Sequence, residues 1–392
     1  MFKRFLNHRL SIKLCLLIPL LSLSYSSFSQ TKKSAKDQEN RFKYIEVKSQ
    51  FGSFLKANSS LRENGLLENG YGGMLTKMGW QPVDTTSWVS RYGYPSYGVG
   101  FYTGFLNDAQ VFGKPKALYG FIRFPLSKPD RKNIFAIEPS LGLSYRFNPY
   151  DFETNPLNDA IGARMAVYFN LNLGFSYQWS RELDILYGID FTHFSNGSTY
   201  KPNRGLNLYG LNVGLRYHYN TARSARDKNI FSGEERPARF KRPSTAPVKP
   251  EKSKYLTAYI AGGVAQSNDM MGTDHLMGVF SGVIDFEYKF NEMHGLNGGI
   301  DIFYDNRLRE TLRPDRWHQA VHIGYTFSFY QFDMKLQTGT YITRPPEKGS
   351  YFLRPALRYY INNRLFAQVG LKTLKAGKAD YIEYGLGLRL FQ

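Results

Sequence analysis

The sequence predicts an all-β chain: an antiparallel transmembrane β-barrel of the outer-membrane type, with eight strands in its first half and about sixteen candidate strands in all. Three observations carry that expectation. The chain opens on a secretory leader, no later apolar run is long enough for a helical span, and apolar and polar residues alternate through segments of about ten residues.

The leader comes first. Lys3, Arg4, Arg9 and Lys13 form its basic end, residues 14–23 its apolar core, and residues 24–30 the small polar stretch where cleavage is expected. An apolar core of about ten residues is too short to cross a bilayer as a helix, so residues 1–30 read as a signal peptide that is removed. Lys13 and Leu14 precede Cys15, and neither is the small residue that a lipoprotein signal requires. Cys15 is the sole cysteine and leaves with the leader, so the mature chain has no disulfide and no thiol chemistry.

Composition supports membrane strands. The 392 residues include 29 Tyr, 30 Phe and 36 Gly, and aromatics make up 16% of the chain. A barrel uses that aromatic content on its outer face and in its interfacial girdles. The formal charge is +19, and loss of the four basic leader residues leaves +15. Solvated loops and lumen charges account for such a balance, as does a surface suited to anionic lipid headgroups. An exported chain does not meet nucleic acid, which removes that class of partner.

The strands follow. In the first half they are predicted near 44–55, 70–80, 96–106, 116–127, 134–147, 163–180, 183–196 and 206–220, and eight more fit between Tyr255 and Leu390. Within 277–291, Phe280, Ile284, Phe286, Tyr288 and Phe290 share one face, while Ser281, Asp285, Glu287 and Lys289 share the other, as a wet lumen would require. The predicted organisation is a motif-bearing half over 31–220, a charged, Pro-containing linker over 221–254 and a second barrel half over 255–392. An even number of strands before the linker places it in the periplasm. The alternation leaves open one barrel of about sixteen strands or two of eight; the length of the linker favours two, because periplasmic turns are usually short. The terminal Gly-Leu-Arg-Leu-Phe-Gln is an alternating strand with a penultimate aromatic, similar to the signal read by barrel-assembly machinery. A faint echo sets Phe175, Tyr177 and Gly188-Ile189-Asp190 against Phe286, Tyr288 and Gly299-Ile300-Asp301, with Tyr304 and Asn306 where the first copy has His193 and Ser195.

The candidate site lies in 188–209. By alternation, Ile185, Tyr187, Ile189 and Phe191 face lipid, and His193 and Ser195 continue that set. On the returning strand Asn207 shares the parity of Tyr209, Leu211 and Val213. Three polar residues therefore converge on the lipid-facing side, where polar groups are costly. About twelve residues of strand, at about 3.3 Å each and tilted by about 40°, carry the chain from its periplasmic turn to His193, a climb of roughly 30 Å. That height is the ester level of the outer leaflet.

The residue types fit acyl-ester hydrolysis. A serine hydroxyl becomes nucleophilic when an imidazole accepts its proton, so His193 is the expected base for Ser195. Asn207 can hold the other ring nitrogen, which fixes the tautomer. The backbone N–H at Gly197 and the amide of Asn203 are the candidate oxyanion donors.

His-Phe-Ser-Asn-Gly followed by Pro-Asn-x-Gly-Leu, at residues 193–206, resembles the lipid A 3-O-deacylase (acyloxyacyl hydrolase-like) family of outer-membrane barrels. The resemblance covers about 44–220 and implies an eight-stranded barrel, with His193 as base, Ser195 as nucleophile and Asn203 near the oxyanion. The family's acid is a Glu, and Asn207 stands in its place. The spacing is also similar to that of outer-membrane phospholipase A, whose triad is His, Ser and Asn. Three readings follow: a serine hydrolase cleaving acyl esters of lipid A or lipopolysaccharide, a phospholipase A, and a non-catalytic barrel, either a porin or a structural one. The expected partners are that lipid substrate, the outer membrane and the barrel-assembly machinery. No cofactor is expected; a calcium ion at Asp151, Glu153 and Asp159 of the loop 148–162 is the alternative, by analogy with the phospholipase. No zinc-ligand spacing and no phosphate-binding glycine loop occurs.

Overall fold

The computed structural model describes residues 41–391, apart from 56–58, 84–87, 129–130, 181, 220–244, 268–270, 272, 311–315, 344–347 and 376. The predicted leader over 1–30 lies outside the described residues, as does most of the predicted linker over 221–254.

Sixteen antiparallel strands form two closed barrels. The first comprises β1 (Arg41–Phe54), β2 (Tyr71–Pro82), β3 (Ser96–Leu106), β4 (Gly113–Pro125), β5 (Asn133–Phe147), β6 (Ala166–Gln178), β7 (Leu183–Ser195) and β8 (Leu206–His218), and it closes where β8 pairs with β1. The second comprises β9 (Ser253–Ala265), β10 (Met277–Lys289), β11 (His294–Asp305), β12 (Trp317–Phe329), β13 (Phe332–Tyr341), β14 (Tyr351–Tyr360), β15 (Leu365–Leu374) and β16 (Lys378–Phe391), and it closes where β16 pairs with β9. Closure leaves no free strand edge, which is what a sheet in lipid requires. No helix among the described residues is long and apolar enough to cross a membrane; the strands cross instead.

The alternation places each residue. Ile45, Val47, Ile189, Leu211 and Val213 point outward and are exposed, forming part of an apolar belt around the first barrel. Ile284, Phe286, Leu296 and Ile300 do the same on the second. The inward sets depart from the wet lumen expected from sequence. Ser281, Asp285, Glu287 and Lys289 are buried, and Asp285 and Glu287 both pair with Lys335. An eight-stranded barrel is just wide enough for its side chains to fill, so the charges meet each other rather than water.

The first lumen has two layers. Toward the periplasmic end, Glu46 pairs with Lys48 at 3.2 Å, Lys77 at 3.0 Å and Arg216 at 2.7 Å, while Glu138 takes Arg123 at 3.5 Å, Lys48 at 3.8 Å and Lys77. Toward the outer end the filling is aromatic: Tyr102, Tyr119, Tyr168, Phe147 and Phe194 pack together. This aromatic plug lies beneath the candidate site.

The barrels touch at both ends, and at the end where β1 and β9 begin three contacts join them. Arg91 of the β2–β3 connection pairs with Glu292 at 2.8 Å, the Tyr92 hydroxyl donates to the Ser328 carbonyl at 2.8 Å, and Trp88 stacks on Tyr330. The echo noted in the sequence aligns β6 and β7 of one barrel with β10 and β11 of the other. Those strands hold different ranks in their barrels, so shared strand periodicity accounts for the match better than duplication in register.

Candidate functional site

β7 is held from inside. The Asp190 carboxylate accepts from the Asn212 amide at 2.9 Å and from the Tyr71 hydroxyl at 3.4 Å, and the Thr192 hydroxyl accepts from the Asn170 amide at 2.8 Å. Two residues further, Phe194 is fully buried against Phe147, Tyr168 and Tyr102, with ring centroids 5.2, 5.5 and 5.8 Å away. Its two neighbours must then face outward, because successive residues of a strand alternate. Those neighbours are His193 and Ser195. Sequence reasoning did not single out Phe194, although its apolar character between two polar residues was a readable signal.

The register of β7 and β8 sets His193 directly opposite Asn207. Their contact is 2.6 Å, from Nδ1 of the imidazole to Oδ1 of the amide. An amide oxygen only accepts, so Nδ1 carries the proton and the lone pair of Nε2 is left to act as a base. Gly205 makes room for the ring: at φ +75° it has a left-handed backbone, and a Cβ there would stand 2.9 Å from Cε1 of His193.

Ser195 is buried, and its Oγ accepts from the Gly197 backbone N–H at 3.1 Å and from the Asn203 amide at 2.9 Å. Asn203 is fixed at its other end, where Oδ1 accepts from the Asn196 N–H at 3.1 Å. Gly197 and Ser198 are both left-handed, with φ of +62° and +63°, and this turn carries the Gly197 N–H back toward Ser195. The structure thus assembles two pairs of contacts: His193 with Asn207, and Ser195 with Gly197 and Asn203. Among the described residues no hydrogen bond joins His193 to Ser195. They sit two positions apart on the same face of one strand.

Below these residues the lipid-facing surface is hollowed. A depression of about 540 Å³ is lined by Phe51, Leu171, Ile189, Phe191, Tyr209 and Leu211, with Gly52 and Gly210 paired across β1 and β8 in its floor. Both glycines have the inward parity of Gln50 and Asn212, so strand backbone forms the floor, and the walls around it are apolar.

Asp151 and Asp159 of the loop 148–162 make contacts within the protein. The Asp151 carboxylate accepts from the Glu153 and Thr154 N–H groups at 3.0 and 2.8 Å, and these bonds hold it below the usual carboxylate range. Asp159 pairs with Arg204 at 3.4 Å. Among the described residues, no group of three or more His, Cys, Asp or Glu side chains is placed to hold a metal ion. Lys201, in the loop after β7, is pushed down to about 8 by burial and by the nearby cations Arg307, Lys378 and Lys348, against the pull of Asp380. All four of those groups belong to the second barrel.

Residues 74–216 match the family model described as lipid A 3-O-deacylase (PagL), and residues 254–392 match the one described as acyloxyacyl hydrolase, C-terminal domain. A search of curated proteins gave no match. Among solved structures, the chain is similar to OccAB1 and OccAB4 of Acinetobacter baumannii, each at 10% identity, with TM-scores of 0.23 and 0.24. The alignments cover 90% and 89% of this chain and 97% of each of those. OccK11 (OpdR) of Pseudomonas aeruginosa matches at 10% identity over 90% of this chain and 97% of its own, with a TM-score of 0.22.

Proposed function

We propose that this outer-membrane protein, whose barrels belong to the lipid A 3-O-deacylase family over residues 74–216 and to the acyloxyacyl hydrolase C-terminal family over residues 254–392, is a serine hydrolase that cleaves acyl esters of lipid A in the outer leaflet. The observation that carries this reading is the 2.6 Å contact between His193 and Asn207 on the lipid-facing side of the barrel, beside a serine held by two donors. A buried polar cluster facing lipid is expensive unless it is used.

The chemistry runs as follows. An acyl chain lies in the depression bounded by Ile189, Phe191, Tyr209 and Leu211, which brings its ester to the top of β7. Ser195 Oγ turns from its two donors toward Nε2 of His193, which accepts the proton as Oγ attacks the ester carbon. Asn207 keeps Nδ1 protonated and the ring aligned. The Gly197 N–H and the Asn203 amide, released from Oγ, bind the developing oxyanion. Collapse of the tetrahedral intermediate expels the lipid alcohol, which takes the proton from His193. Water, activated by the same imidazole, then hydrolyses the acyl-serine and frees the fatty acid. Asn207 is neutral and so stabilises the imidazolium less than a carboxylate does.

A second reading, phospholipase A, is favoured by that same Asn207, since an amide in the third position suits a His, Ser, Asn triad. The two separate on substrate. Purified protein given lipopolysaccharide and phospholipid in the same mixed micelles is expected to release fatty acid faster from lipopolysaccharide. A faster release from phospholipid would transfer the reading to phospholipase A. Release from neither would leave the non-catalytic barrel.

A further inference from the structure

The loop that carries the proposed oxyanion donors is gripped by the second barrel. Ser198 Oγ donates to the Ala379 carbonyl at 2.7 Å, at the start of β16. Gln266, just beyond β9, donates its backbone N–H to the Ser198 carbonyl at 3.2 Å and accepts the Lys201 N–H on Oε1 at 2.8 Å. The Gln266 side chain is fully buried, and its Nε2 is anchored on the Thr273 carbonyl at 2.7 Å. Gly197 itself abuts β16: a Cβ there would lie 2.2 Å from Cγ1 and 2.5 Å from Cδ1 of Ile382.

These contacts fall on the segment between Ser195 and Asn203. The first barrel already closes through β8 and β1, so its strand ladder does not need them. The segment does. Ser198 holds a left-handed backbone that an L residue adopts at a cost, and such a conformation persists only where its surroundings over-determine it. Oxyanion donors, in turn, act only when they are aimed beforehand.

We infer that the second barrel is a positioning element for the first barrel's site, with Gln266 and Ile382 fixing the 196–203 loop so that the Gly197 N–H and the Asn203 amide point at the reacting carbonyl. This rests on the hydrolase reading above. It also gives the second barrel, which has no His-x-Ser pair of its own, a role in the same reaction.

The test uses the full chain. Gln266→Met keeps the side-chain volume but removes both the acceptor for Lys201 and the donor to the Thr273 carbonyl. Gln266→Met is expected to lower kcat by about tenfold with KM near the wild-type value, because the lost interaction serves the transition state. Gly197→Ala is expected to lower kcat by about a hundredfold, the scale of losing one oxyanion donor. Adding Ile382→Ala to Gly197→Ala removes the clashing atoms and restores part of the rate. Amide hydrogen exchange over 196–203 provides a readout independent of activity: it rises in Gln266→Met. Wild-type kcat and unchanged exchange in Gln266→Met would overturn the inference while leaving the hydrolase reading intact. If the wild-type protein cleaves no lipid, the hydrolase reading fails, and the exchange data alone decide whether the second barrel fixes the loop.

Discussion

Ser195→Ala and His193→Ala are each expected to reduce ester hydrolysis by about 10⁴-fold or more, and the double variant by no more than either alone, because nucleophile and base act as one unit. Both side chains face outward at the top of β7, away from the packed lumen, so the substitutions leave the barrel intact. Heat-modifiable gel mobility and wild-type expression serve as the folding control, and initial rates of fatty-acid release serve as the measurement. Asn207→Ala is expected to cost less than either, since it loosens the ring but leaves nucleophile and base in place. Asn207→Asp is expected to retain activity, because a carboxylate accepts the same Nδ1–H and favours the imidazolium. A rate for Ser195→Ala equal to wild type would remove the serine mechanism.

The second large effect is on stability. Glu138 is fully buried in the first lumen, where it and Glu46 stand among Lys48, Lys77, Arg123 and Arg216. Removing it leaves those four buried cations with one carboxylate fewer, Glu46 and Asp184 remaining beside them. Glu138→Ala is therefore expected to destabilise the first barrel by about 3–5 kcal/mol, the usual cost of breaking a buried ionic group by taking one partner away. Urea unfolding of the refolded protein, followed by the loss of heat-modifiable mobility, reads this as a lower midpoint. Exchanging an outward-facing residue of the same strand, such as Leu141→Val, should move the midpoint little.

Most of the fold was legible in the sequence because lipid imposes a strict two-residue period. β3 was expected at 96–106 and runs Ser96–Leu106; β7 was expected at 183–196 and runs Leu183–Ser195. Strand ends were less legible, as at β6, where apolar residues spill past both ends of Ala166–Gln178 into the adjoining loops. The interior was misread as wet, because alternation reports that one face is polar but not whether its charges meet water or each other. Lys335 between Asp285 and Glu287 joins strands that only barrel closure brings across the lumen. At the site, the shared parity of His193, Ser195 and Asn207 was visible, and the structure sets two of them directly opposite each other. The grip of Gln266 and Ile382 on the loop was not visible. It joins residues 65 and more positions apart that belong to no repeating pattern, and only the packing of two barrels creates it.

The central claim is that lipid A ester cleavage takes place at Ser195. The direct measurement is a mass spectrum of lipid A isolated after lipopolysaccharide is incubated with purified wild-type protein or with Ser195→Ala. The account predicts loss of one acyl chain, with the matching free fatty acid, from the wild-type reaction and intact lipid A from the variant. Intact lipid A in both reactions, or the same loss in both, would contradict it.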